Sequence, residues 1–197
     1  MELFERVNAI VVSPKTEWAK IEGEPDDARH LFTRYVAVVA AVPPVSGLTD
    51  AALSGRLRDS LGAALLLALA GYALTFVVVY GLALIADALA PFFGGRKSPP
   101  DALKLVVYSK TPAWLVGAFA LYSNLGVLSF LGLYALYVLW IGAPAMMKTP
   151  RDKAALYVAT VAIGAIAIHY ALLSVLGAAF GYPLIAASLG AAIHSML

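Results

Sequence analysis

The chain has 197 residues, of which 61% are hydrophobic and only 13% are charged. Soluble domains carry about 25% charged residues, so this composition indicates a membrane protein. The net charge of +2 is too small to favour a nucleic-acid partner. The absence of cysteine excludes disulfides, thiolate metal sites and a cysteine nucleophile.

Residues 1–30 are predicted to form a cytoplasmic or interfacial segment with two amphipathic helices. Apolar residues of the first helix recur at helical spacing at Leu3, Phe4, Val7, Ile10 and Val11. Polar residues, Arg6 among them, occupy much of the remaining surface. This helix either lies in the membrane interface or packs on the protein's own spans.

The second helix of this segment is predicted to begin at Pro14, because proline suits the first position of a helix. Ser13 can cap this helix. Trp18 lies further along it, and tryptophan favours the membrane–water boundary. We therefore predict that Trp18 contacts lipid or a membrane partner.

Residues 31–197 are predicted to form a transmembrane domain of five helices. The clearest span contains 26 consecutive uncharged residues, from Leu61 to Ala86, and about 20 apolar residues suffice to cross a bilayer. A short apolar helix near the C-terminus either lies at the interface or on the bundle, or crosses as a sixth, tilted span. The fold class is thus an all-α, polytopic integral membrane helical bundle. The predicted spans are 31–48, 61–89, 102–121, 126–146 and 154–180, followed by the short helix at 184–197.

Two prolines, Pro43 and Pro44, interrupt the first predicted span. Proline lacks a backbone donor and clashes with the preceding turn, so the helix should kink or stop there. Backbone groups freed at that depth need a partner in the protein or in water. The break is either a simple kink or part of a site lined by broken backbone, as in transporters.

The loop charges predict the orientation. With five spans, 12 of the 14 Lys and Arg residues fall on the side of the N-terminus, and only Arg56 and Arg58 fall on the other. Cytoplasmic loops carry the excess of positive charge, so the N-terminus is predicted to be cytoplasmic and the C-terminus outside the cell membrane.

Two ionisable residues within the predicted spans are candidates for function. Asp87 is expected to form an ion pair with Arg96, Lys97 or Lys110, or else to hold a proton or a cation. His169 is expected to be a neutral imidazole hydrogen-bonded to a neighbouring span, with a proton relay as the alternative.

The sequence contains none of the metal-binding or phosphate-binding motifs that a catalytic site would need. The Gly94–Lys97 stretch, Gly-Gly-Arg-Lys, is too short for a phosphate loop and is predicted to be a flexible turn. Basic residues beside a span attract anionic lipid headgroups, so this turn is also a candidate lipid-phosphate site. We predict no catalytic residue, no metal and no cofactor.

Three stretches of the chain resemble the Yip family, the Ypt/Rab-interacting membrane proteins, in its bacterial and archaeal branch. They read VNAIVVSPKTEWAKIEGE, GGRKSPPDALKLVVYSKTPAWL and WIGAPAMMKTPRDKA. The resemblance implies five spans with a cytoplasmic N-terminus and no enzymatic activity. Eukaryotic members of the family are associated with Rab-type GTPases, vesicle trafficking and organelle membrane shape.

Two functions follow from these predictions. The first is a non-enzymatic membrane scaffold or adaptor that binds anionic lipids, a membrane-protein partner or a second copy of itself. The second is a small-solute or ion transporter or channel that uses the broken first span with Asp87 and His169. The residues predicted to bind lipid or a partner in the first case are Trp18, Arg96, Lys97, Lys110 and Arg151.

Overall fold

The structure is a computed structural model that describes residues 3–25, 27–55, 57–118 and 132–180. All regular elements in these ranges are helical. They are α1 (Leu3–Val12), α2 (Pro14–Glu22), α3 (Ala28–His30), a π-helical segment (Leu31–Val36), α4 (Ala37–Val39), α5 (Val42–Leu53), α6 (Leu57–Leu89), a 3-10 turn (Ala90–Phe93), α7 (Pro99–Val116), α8 (Tyr134–Met146) and α9 (Arg151–Phe180).

Three helical stretches in the described ranges are long and apolar enough to cross a membrane. They are Ala28–Leu53, Ala64–Phe93 and Arg151–Leu172. They agree with the first, second and fifth predicted spans. α8 is apolar but shorter, and the turn predicted between the third and fourth spans lies outside the described residues, as does the predicted helix at 184–197. The count of five spans therefore stays a prediction.

The predicted break at Pro43 and Pro44 is present in the structure. The helix is interrupted after α4, and both prolines lie in the first turn of α5, where no backbone donor is needed. The amide of Ala41 bonds to the carbonyl of Val38. The carbonyl of Ala37, which that amide would meet in a regular helix, accepts a 2.6 Å hydrogen bond from the Tyr72 hydroxyl. The Ala37 carbonyl thus has a partner within the protein, as is expected of a simple kink.

α7 lies at the centre of the structure. It packs against α6 and α8 and also contacts α1, α4 and α5. Every residue from Ala102 to Ser109 is buried, on all sides of the helix. α7 carries Lys104 and Lys110 within its length, and charged side chains are costly in lipid. Enclosure by the other helices keeps the first half of α7 away from hydrocarbon.

The two N-terminal helices pack onto this bundle. α1 contacts α7, and α2 contacts α8. Ile10, Trp18 and Ile21 belong to the same hydrophobic core as the longer helices. Of the two arrangements left open for α1, packing on the protein's own helices is therefore the one in the structure. Pro14 begins α2 as predicted, whereas the side chain of Ser13 makes no capping hydrogen bond.

Trp18 is the residue through which α2 is anchored. Its indole Nε1–H donates a 3.0 Å hydrogen bond to the Val138 carbonyl. Its ring covers Gly142, where an added Cβ would lie only 2.4 Å from the indole. Glycine at position 142 thus allows the tryptophan to reach the backbone of α8.

We predict that Gly142→Ala lowers the free energy of unfolding by about 1–3 kcal/mol, because the added methyl group overpacks the Trp18 contact. Unfolding in detergent micelles, followed by tryptophan fluorescence, measures the change. Gly71→Ala is the matched control, since no atom lies within 4 Å of its added Cβ, and alanine favours the helix by up to about 1 kcal/mol. Equal effects of the two substitutions would contradict the proposed contact.

Candidate functional site

Two loops meet beside the ends of α6 and α8, and we call their junction the loop surface: residues 94–98 and 147–151. The amide of Arg96 donates a 2.7 Å hydrogen bond to the Met147 carbonyl, and the amide of Gly95 donates a 2.8 Å bond to the Ala90 carbonyl. The Arg96–Met147 bond joins the two loops, whereas the Gly95–Ala90 bond closes the first loop on the 3-10 turn that precedes it.

The two glycines of the first loop are required by this arrangement. Gly94 has φ +79°, in the left-handed region that glycine tolerates best. A Cβ on Gly95 would lie 2.6 Å from the Met147 carbonyl oxygen and 2.8 Å from Thr149 Cγ2, so a larger residue would separate the loops. In the structure this turn is joined to the second loop by the Arg96–Met147 hydrogen bond, and its flexibility stays a prediction.

Three of the predicted binding residues are exposed on the loop surface: Arg96, Lys97 and Arg151. Arg96 lies 3.3 Å from the carboxylate of Asp101, a partly exposed pair that leaves most of the guanidinium in solvent. The neighbouring Lys148 instead pairs with Glu22 at the end of α2. The structure thus brings together, from two distant parts of the sequence, a set of exposed cations.

The other two predicted binding residues lie elsewhere. Lys110 is half-buried and lies about 16 Å along α7 from its first residue, at 1.5 Å per residue. Trp18 is 1% exposed. The prediction that Trp18 contacts lipid or a partner is wrong, because its ring is enclosed between α8 and Tyr108, whose ring centroid lies 6.2 Å away.

Asp87 stabilises the start of α7. Its carboxylate accepts a 2.7 Å hydrogen bond from the amide of Ser98, the residue that precedes the first turn of α7. Among the described residues it makes no ion pair with Arg96, Lys97 or Lys110, so the predicted pairing is not the one in the structure. A negative charge at this end of α7 is also attracted to the positive pole of the helix dipole, which further stabilises the helix.

A buried charge cluster joins the N-terminal helices to each other. Arg6 of α1 lies 2.5 Å from Glu17 of α2, and their side chains are 7% and 1% exposed. The guanidinium also pairs with Glu24, and Lys20 lies 3.1 Å from the second oxygen of Glu17. The sequence places Arg6 among the polar residues on the outer surface of α1. This prediction is wrong, because Arg6 and Ile10 are the two buried residues of that helix.

The cluster extends to α7. The guanidinium carbon of Arg6 lies 5.6 Å from the centre of the Tyr108 ring, within the range of a cation–π interaction. The Lys104 ammonium group donates a 2.7 Å hydrogen bond to the Glu24 carbonyl. The sequence alone does not reveal this charge cluster. The one feature that indicates burial of Arg6 is its spacing from Ile10, four residues apart on one face of a helix.

His169, Asp87 and the Pro43–Pro44 break do not form a common site. His169 is exposed on α9, and its ring contacts only the adjacent Tyr170 among the described aromatic residues. No hydrogen bond from His169 to a neighbouring helix occurs in the described part of the chain. Within the same part, no three His, Asp or Glu residues are grouped to hold a metal ion.

The apolar helices and the helical core together indicate a helical membrane protein. A family model for the Yip1 domain matches residues 8–173. The chain therefore belongs to the Yip1 domain family, which confirms the family predicted from the sequence, while the bacterial and archaeal branch stays a prediction. Comparison with curated proteins and with solved structures gives no match.

If Asp87 serves to hold the Ser98 amide, Asp87→Asn should keep most of the stability, since the amide oxygen of asparagine can accept the same hydrogen bond. Asp87→Ala should cost about 1–3 kcal/mol, because it leaves a partly buried donor unsatisfied. Unfolding in detergent measures both variants. A loss in Asp87→Asn as large as that in Asp87→Ala would show that the charge, and not the hydrogen bond, matters.

Removal of Arg6 should leave the Glu17 carboxylate buried without its main partner. We expect Arg6→Leu to cost about 3–5 kcal/mol of unfolding free energy, and Arg6→Leu/Glu17→Leu to recover much of that loss. Lys20→Ala is the control, since this exposed partner of Glu17 should contribute about 0–1 kcal/mol. A double variant no more stable than Arg6→Leu would argue against pairing as the source of the effect.

Proposed function

We propose that this protein is a non-enzymatic membrane scaffold or adaptor that binds lipid headgroups or membrane partners through the loop surface. The observation that carries the proposal is the hydrogen-bonded junction of the two loops, which exposes Arg96 and Lys97 on one loop and Arg151 at the end of the other. Loops that already contact each other suit recognition, because less backbone has to become ordered when a partner binds.

Anionic lipid headgroups suit the chemistry of this surface. Lys and Arg next to a membrane each contribute about 1 kcal/mol of attraction to an anionic leaflet. Arg96 and Arg151 can also donate paired hydrogen bonds to a phosphate or to a carboxylate of a protein partner. A second copy of the chain is a further candidate partner, and we propose no role for nucleic acid or a cofactor.

The proposal includes a topology. The five spans place the N-terminus in the cytoplasm and the C-terminus outside the cell membrane, with the loop surface on the cytoplasmic side. Its support is the charge bias, 12 of 14 Lys and Arg residues on one side. Two of the three candidate spans found among the described residues, Ala64–Phe93 and Arg151–Leu172, end or begin at this junction.

A transporter has less support. Its three elements would have to converge on one path. The Ala37 carbonyl beside the Pro43 break is bonded to Tyr72, Asp87 bonds to Ser98 and His169 lies on an exposed face. A transport path needs polar groups that remain available to the substrate. We likewise propose no catalytic role for any of these residues.

Reversal of charge on the loop surface tests the proposal. Arg96→Glu/Lys97→Glu should retain phosphatidylglycerol about tenfold less well, because two attractive contacts become repulsive. Native mass spectrometry of protein released from nanodiscs that contain phosphatidylglycerol and phosphatidylcholine counts the retained lipids directly.

Lys15→Glu/Arg29→Glu is the matched control. It makes the same change in net charge at two exposed positions outside the loop surface. If both double variants lose the same amount of phosphatidylglycerol, net charge accounts for the binding and the loop surface does not. Unchanged retention in Arg96→Glu/Lys97→Glu would also refute lipid binding there.

A further inference from the structure

A second surface with binding character lies away from the loop surface. It is an open cavity of about 840 Å³ between α1, the start of the Ala28–Leu53 stretch and α7. Ligand sites usually measure about 300–1,000 Å³. The cavity therefore has room for a polar headgroup and the upper part of one acyl chain.

The walls of the cavity carry more usable positive than negative charge. Its lining has three cationic residues, Arg6, Arg34 and Lys104, against two acidic ones. Glu24 pairs with Arg6, and the carboxylate of Asp27 accepts the His30 amide at 2.8 Å but keeps its charge. Arg34 and the His30 ring are exposed at the cavity, and in the part of the chain that the structure describes neither side chain has a hydrogen bond or an ion pair. Arg34 is thus a cation available to an anionic group.

Most of the remaining lining is apolar, and it continues along the first candidate span. Val38 and Phe4 line the cavity and are 54% and 78% exposed. His30 and Val38 lie about two helical turns apart. A ligand that contacts both must carry a polar anionic end and an apolar chain of comparable length.

We propose that this cavity binds one anionic phospholipid, with its phosphate on Arg34 and His30 and an acyl chain along Val38 and Phe4. Charge complementarity selects the headgroup, and the exposed apolar wall selects a lipid over a soluble phosphate. The inference rests on the membrane setting of the proposed function, but it uses none of the residues of the loop surface. Failure of either proposal therefore leaves the other testable.

Two variants test the two halves of the site. Arg34→Gln removes the charge, and Val38→Trp fills the apolar wall. Their controls are Arg29→Gln, an exposed arginine that does not line the cavity, and Val45→Trp, at a valine of the same stretch that is 58% exposed. The melting temperature of each variant is first measured, and only variants that melt like wild type are used. Each is reconstituted in nanodiscs with phosphatidylglycerol and phosphatidylcholine, and the retained lipids are counted by native mass spectrometry.

We expect wild type to retain one phosphatidylglycerol in the cavity, in addition to any lipid on the loop surface. Arg34→Gln should weaken its binding by about tenfold, the order of a lost charged hydrogen bond, and Val38→Trp should weaken it to a similar extent because the new ring fills the space of the acyl chain. The two controls should bind like wild type, and added glycerol phosphate should not displace the lipid.

Equal losses in Arg34→Gln and Arg29→Gln, or unchanged binding in Val38→Trp, would overturn the site. Displacement by glycerol phosphate would overturn the choice of a lipid. Loss in these variants combined with full retention in Arg96→Glu/Lys97→Glu would support the cavity and refute the loop surface.

Discussion

The burial of charge beside α7 is the constraint that organises this end of the protein. Arg6, Glu17 and Lys104 lie inside, each less than 8% exposed, and a buried charge without a partner costs several kcal/mol. Their partners come from α1, α2 and the segment after α2, so those elements cannot leave the bundle without exposing or unpairing the charges. Packing of Trp18 on Gly142 adds a contact that depends on shape and is independent of charge.

The segment that ends α2 connects the two proposed binding surfaces. Glu22 pairs with Lys148 of the loop surface, whereas Glu24 pairs with Arg6 at the cavity and accepts a hydrogen bond from Lys104 through its carbonyl. Each carboxylate pairs with a cation that could otherwise bind an anionic ligand. The acidic residues of this segment therefore determine which cations stay available: Lys97 and Arg151 on one surface and Arg34 on the other.

The sequence predicted elements that depend on local chemistry and missed positions that depend on tertiary contacts. The uncharged run that begins at Leu61 and the prolines at positions 43 and 44 each act within a single helix. Composition and backbone chemistry were therefore sufficient to predict the span and the break. Trp18 and Arg6 were assigned to the wrong surroundings because their usual preferences, interface for tryptophan and solvent for arginine, gave way to specific partners. The partner of Trp18, Val138, lies 120 residues away along the chain, and the partner of Arg6, Glu17, lies 11 residues away. Neither separation can be read from the period of a single helix.

The candidate sites differ in the same way. The basic residues of the loop surface could be found because Arg96 and Lys97 are adjacent and follow two glycines, although the hydrogen bond that joins this loop to the second one involves Met147. The cavity could not be found, since α1, the start of the first candidate span and α7 each supply part of its lining. Arginine near the start of a span is common and serves orientation. What distinguishes Arg34 is that nearby acidic groups already have partners, so the state of its neighbours, and not its own position in the sequence, marks it as a binding residue.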